Sequence, residues 1–100
     1  MAGIVVSYQT ALHESERNQQ LVEDVFAELA RSDPGGLRYA AFRVGDAASF
    51  LHVALIDDLA RNPLANLPSF AAFQRNLAAR CEVPPAPSHA TLVGSYRMFA

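Results

Sequence analysis

Residues 37–56 read LRYAAFRVGDAASFLHVALI, and this run decides the fold. Leu37 to Val44 and Ala48 to Ile56 are both rich in β-favouring side chains, and Gly45-Asp46 between them is a turn signal. The two segments read as an antiparallel hairpin. A two-residue turn pairs Ala41 with Phe50 and Tyr39 with His52, and strand alternation then sorts the hairpin into two faces. One carries Ala40, Phe42, Val44, Leu51, Val53 and Leu55, a smooth aliphatic surface suited to helix packing. The other carries Leu37, Tyr39, Ala41, Arg43, Phe50, His52, Ala54 and Ile56, mostly apolar but interrupted by polar tips.

Upstream of the hairpin, Ile4 to Thr10 reads as a strand, and a helix opens near Ser15, which is placed to cap it. Leu21, Val22, Val25, Phe26 and Leu29 recur on one helical face, and Asp33-Pro34-Gly35-Gly36 ends the helix. Downstream, Asp57 to Leu67 is a connection, and a second helix begins near Pro68-Ser69. Phe70, Phe73, Leu77 and Cys81 mark its buried stripe, Pro84, Pro85 and Pro87 stop it, and Thr91 to Phe99 supplies a last strand. The order is β-α-β-β-α-β. It predicts a single α+β domain over residues 1–100, ferredoxin-like, with four antiparallel strands and two helices on one face.

Composition narrows the function. With 18% charged residues, a formal charge of −2 and no basic run, nothing resembles the stripe that a phosphate backbone needs, so no nucleic-acid partner is expected. Cys81 is the lone cysteine and reads as a small buried hydrophobe. The apolar start Gly3-Ile4-Val5-Val6 is too short for a signal-peptide core, and no stretch approaches the ~18 apolar residues of a membrane span. The expectation is a cytoplasmic protein with no membrane partner. His13, His52 and His89 lack metal-ligand spacing, and neither G-x-S-x-G nor a phosphate-loop pattern occurs.

A hydrophobic content of 51% is high for so short a chain. Two helices cover one face of a four-stranded sheet, and a broad apolar face left in water is rare in monomers. Burying ~1,000 Å² of it is worth roughly 25 kcal/mol before the costs of association. The expected solution is a homodimer, with the His52 face turned to the second copy and a hollow left near His52.

The chain resembles the antibiotic biosynthesis monooxygenase-like proteins of the dimeric α+β barrel superfamily. The resemblance runs over nearly the whole chain. It rests on Ile4-Val5-Val6 before an acidic amphipathic helix, Pro34-Gly35-Gly36-Leu37-Arg38-Tyr39, Ser49-Phe50-Leu51-His52-Val53-Ala54 running into Asp57-Asp58, and Phe70-Ala71-Ala72-Phe73. It implies a pocket between the sheet and the second helix, and for some members oxidation of aromatic substrates by O₂ without metal or flavin, hence no cofactor. His52 falls where the family often places a polar pocket residue, and Ile56 where oxygenase members often carry Trp; this chain has no Trp. The expected ligand is a small apolar or aromatic molecule.

His52 is the candidate catalytic residue, as base or orienting donor; alternatively it only packs and hydrogen-bonds Tyr39. Arg43 is a second candidate, able to hold an enolate or carboxylate, with a solvent-facing or ion-paired role as the alternative. Tyr39, Phe50, Ile56, Phe70 and Phe73 are the expected substrate-lining residues. The facing of Tyr8 and Tyr96 is not fixed by the sequence.

Overall fold

The computed structural model describes residues 2–45 and 48–99. Strand β1 (Ala2–Thr10) passes through a 3-10 turn, Leu12–Glu14, into helix α1 (Ser15–Ser32). Strands β2 (Leu37–Val44) and β3 (Ser49–Ile56) form the hairpin. Two further 3-10 turns, Leu59–Arg61 and Pro63–Asn66, lead into α2 (Pro68–Gln74), α3 (Leu77–Arg80) and β4 (Cys81–Ala90). The sheet is antiparallel throughout, in the order β2-β3-β1-β4. This is the ferredoxin-like α+β arrangement.

Helix α1 buries Leu21, Val22 and Val25 against the sheet, while Phe26 and Leu29 pack beside them. Asp33 ends the helix in the left-handed conformation (φ 42°) and donates its N–H to the Leu29 carbonyl. Ser15 is not the cap. Glu14 holds that position, and the Ser15 hydroxyl donates instead to the Leu12 carbonyl of the preceding turn.

The hairpin register differs from the expected one. Ala41 faces His52, Tyr39 faces Ala54 and Arg43 faces Phe50, because the loop spans four residues, 45–48, instead of two. Asp46 of the expected turn lies outside the described residues. An even increment moves the pairing by two positions and leaves the parity intact, so both faces keep their membership.

Their destinations are the reverse of the expectation. Phe50, His52, Ala54 and Ile56 are buried, beneath the helices with Tyr8 and Phe73. The aliphatic set is the open side, with Phe42 36% and Val44 50% exposed. Two apolar faces compete for the helices, and the one with aromatic bulk wins because its polar tips find partners under them.

The C-terminal third also departs from the expected layout. Asn76 adopts the left-handed conformation (φ 62°) and interrupts the second helical stretch between α2 and α3; Asn tolerates that region better than most residues. Cys81 begins a strand instead of closing a helical stripe, and packs half-buried against the core. Burial pushes its thiol pKa up, as suits a packing role. Pro84, Pro85 and Pro87 lie within β4, an edge strand whose pairing with β1 is irregular between Ser7 and Thr10. An edge strand needs only one row of ladder hydrogen bonds, which is why it accepts proline. Thr91 to Phe99 is not a strand; it bends back over the open sheet face, where Phe99 meets Phe42 with centroids 6.1 Å apart.

Gly3 fixes how closely β4 approaches β1: a Cβ there would stand 2.2 Å from the Ala90 carbonyl oxygen. Backbone must move to relieve that overlap, at about 1–3 kcal/mol. Gly3→Ala should therefore lower the thermal midpoint by at least about 4 °C; an unchanged melting curve would contradict this packing.

Candidate functional site

A cleft of about 280 Å³ opens between the sheet and the short helices. Its floor is Ile4, Val6 and Tyr8 of β1 with Tyr39 of β2 and His52 and Ile56 of β3; Phe73 and Leu77 form the roof. Asn62, Gln74 and the prolines of β4 complete the rim, and no charged side chain is in the lining. The volume sits near the lower edge of the ~300–1,000 Å³ typical of small-molecule sites.

The imidazole of His52 is held on all sides. Its ring stacks on Phe73 at 5.3 Å between centroids. Its Nε2 lies 2.8 Å from the Tyr8 hydroxyl and its Nδ1 2.5 Å from the Tyr39 hydroxyl. Tyr39 is braced by Phe26 of α1, stacked at 4.8 Å, and Tyr8 by Phe50, stacked at 5.5 Å.

The polar cluster extends behind Tyr8. Asn18, fully buried on α1, donates from Nδ2 to the Tyr8 hydroxyl at 2.9 Å. Arg80 donates from Nε and Nη2 to Asn18 Oδ1 at 3.3 and 3.2 Å, and to the carbonyls of Phe73 and Arg75. Its guanidinium also lies over the Phe73 ring. Arg80 makes no ion pair among the described residues; helix-end carbonyls and an amide oxygen satisfy it instead.

Desolvation dominates the electrostatics. Burial lowers the His52 pKa from 6.5 to about 4, so the ring is neutral at physiological pH. Burial raises Tyr8 to about 12, opposed by the Asn18 hydrogen bond, and lifts Tyr39 well above the ordinary phenol range. The cluster is a neutral hydrogen-bonded chain whose buried charge sits at its far end.

Of the sequence-derived candidates, His52, Tyr39, Ile56 and Phe73 meet at this cleft. Phe50 and Phe70 do not line it; they buttress Tyr8 and Phe73 respectively. Arg43 is not brought to His52. Its Nη1 donates to Glu16 Oε1 at 2.7 Å and to Gln19 Oε1 at 3.0 Å, which ties β2 to α1. Tyr8 faces the helices, and Tyr96 is 82% exposed in the tail. Asn18 and Arg80 escaped the sequence reading. Asn18 carried a signal, since it falls three, four and seven residues before Leu21, Val22 and Val25, a polar side chain on an apolar face. Arg80 carried none, because its burial depends on the break at Asn76.

A larger hollow, about 480 Å³, lies on the opposite side of the sheet between Phe42, Val53 and Leu55 and the tail residues Tyr96, Met98 and Phe99. No histidine lines it; the hydrogen-bonded polar cluster lies in the smaller cleft. Among the described residues no three His, Cys, Asp or Glu side chains converge as metal ligands, and no helix is long and apolar enough to cross a membrane.

Comparison with solved structures matches this architecture over almost its full length. A crystal structure of an antibiotic biosynthesis monooxygenase superposes with a TM-score of 0.75, covering 94% of this chain and 100% of its own at 14% identity. This chain has the antibiotic biosynthesis monooxygenase fold. SnoaB, a cofactor-independent oxygenase from Streptomyces nogalater, gives a TM-score of 0.68 at 17% identity and 96% coverage of each chain. A Nitrosomonas europaea protein of unknown function gives 0.72 at 19% identity, covering 95% of this chain and 91% of that one. No family model and no curated protein sequence matches the chain. Identities this low speak to fold alone, and the site must be argued from its own chemistry.

The depressed His52 pKa sets a pH dependence. From 6.5 down to about 4 the unfolded chain takes up a proton that the folded chain refuses. This contribution to stability is therefore complete above pH 6.5 and is lost as the pH falls through that window, by about 3 kcal/mol at most. Urea midpoints of the wild type should drop on acidification more than those of His52→Gln; parallel pH profiles would show that the imidazole is not buried neutral.

Proposed function

We propose that the chain is a cofactor-independent monooxygenase that oxidises a small aromatic or enolisable substrate in the cleft under α2. The observation that carries this reading is the His52 cluster with its two tyrosines, set in an uncharged cleft that is otherwise apolar except for Asn62 and Gln74 at its rim. Likeness to the fold of SnoaB supports it. An enolisable substrate that releases a proton to water becomes an electron-rich anion that can reduce O₂ directly, and the peroxide anion so formed takes a proton back. The resulting hydroperoxide then loses water to leave a new carbonyl, so O₂ is the only oxidant required. Both ring nitrogens of His52 are engaged by tyrosines, which favours an orienting role for the imidazole over direct proton abstraction. Tyr39, Ile56 and Phe73 shape the cavity; Phe50 and Phe70 hold its walls, and Arg43 holds α1 to the sheet.

Oxygen uptake with a hydroxyanthrone and quinol panel tests the reading. Turnover by the wild type, reduced about 100-fold or more in His52→Ala with the fold intact by circular dichroism, is the expected result. Tight binding without oxygen consumption would replace the enzyme with a ligand carrier, and turnover under anaerobic conditions would replace it with a proton-transfer isomerase.

The working unit is a homodimer in this proposal, joined through the open aliphatic face instead of the His52 face. Phe42, Val44 and the tail residues Leu92, Met98 and Phe99 remain exposed there, an apolar surface that a second copy would bury. Sedimentation should give twice the chain mass for the wild type and a monomer for Phe42→Asp. A wild type that stays monomeric and unaggregated at high concentration would refute the assembly.

A further inference from the structure

Arg80 fixes the direction of every hydrogen bond in the buried cluster. A guanidinium can only donate, so the Asn18 amide must turn its Oδ1 toward Arg80 and its Nδ2 toward Tyr8. The Tyr8 oxygen therefore accepts, and its own proton needs another acceptor. His52 Nε2, 2.8 Å away, is the acceptor the structure supplies among the described residues. That leaves Nε2 bare and places the single proton of a neutral imidazole on Nδ1, where it is donated to the Tyr39 oxygen. The Tyr39 hydroxyl proton then has no protein acceptor among the described residues, and Tyr39 lines the cleft.

We infer that Arg80, Asn18, Tyr8 and His52 form a one-way donor chain that ends in the Tyr39 O–H, and that this hydroxyl binds the oxygen of a carbonyl substrate that becomes an enolate. The inference deepens the proposed function, on which it rests for the identity of the reaction. Successive donors oriented the same way polarise one another, so the last one is a stronger donor than an isolated phenol. A buried cation heads the chain, and every donor after it points its positive end toward the cleft. The arrangement suits an oxygen that gains charge during reaction, as an oxyanion site does. Tyr39 touches the substrate; His52, Tyr8 and Asn18 are positioning residues.

The tautomer is measurable on the free protein. Long-range ¹H–¹⁵N correlation of the histidines, with the His52 signals assigned by their loss in His52→Gln, should show Nδ1–H with Nε2 unprotonated. Tyr8→Phe removes the donor to Nε2 and should move the proton to that nitrogen. An Nε2–H tautomer in the wild type would overturn the inference. Binding supplies the second arm, with 4-nitrophenolate as an oxyanion probe and 4-nitroanisole as its analogue without the charge. Tyr39→Phe should weaken the phenolate about tenfold or more and leave the anisole unchanged. Tyr8→Phe, which leaves Nδ1 bare to accept the Tyr39 proton and so draws that donor away from the cleft, should likewise weaken the phenolate alone. Equal losses for both probes, or no preference of the wild type for the phenolate, would reduce Tyr39 to a packing residue. Neither arm uses O₂, so a negative oxygen-uptake assay would leave the donor chain standing, and a wrong tautomer would leave the oxygenase reading standing.

Discussion

An imidazole buried beneath a sheet-covering helix must satisfy two nitrogens without water, and the arrangement around His52 follows from that requirement. Tyr8 and Tyr39 come from the strands on either side of β3, so the two hydrogen bonds clamp three strands together at one level. Phe26 and Phe50 then fix the tyrosine rings, and Phe73 closes the face of the imidazole. An unpaired polar group in this place would cost about 1–3 kcal/mol, while each satisfied bond adds only modestly to stability. The cluster therefore specifies one packing of helices on sheet more than it strengthens it.

The order of elements was readable from local signals: the α1 stripe, the Pro68 start of α2 and the two strands around Gly45. Parity within the hairpin was readable too, and survived a loop two residues longer than expected because an even change cannot exchange faces. Which face would meet the helices was not readable. Both are apolar, and the choice rests on partners for Tyr39 and His52 that come from β1 and α1, distant in sequence. The Tyr39–His52 hydrogen bond was available as an alternative reading of the same residues, and the structure contains it.

Two local rules misled at the C-terminal end. Three prolines within four residues usually forbid a strand, but an edge position removes half of the ladder that proline would break. The stripe from Phe70 to Cys81 has helical spacing, yet Asn76 interrupts it, and this interruption brings Arg80 back under α2 to meet Asn18. The part of the site hardest to read was thus the part produced by an irregularity, where spacing carries no information.

The prolines of β4 bear on how copies of the chain can come together. Pro84 and Pro85 are neighbours, and backbone donors alternate along a strand, so at least one of the missing N–H groups falls on the free edge, where a further strand would need it. Growth of the sheet by lateral addition is hindered on that side. Strand-by-strand stacking into fibrils is thereby discouraged at β4, while contact through the broad side of the sheet remains open.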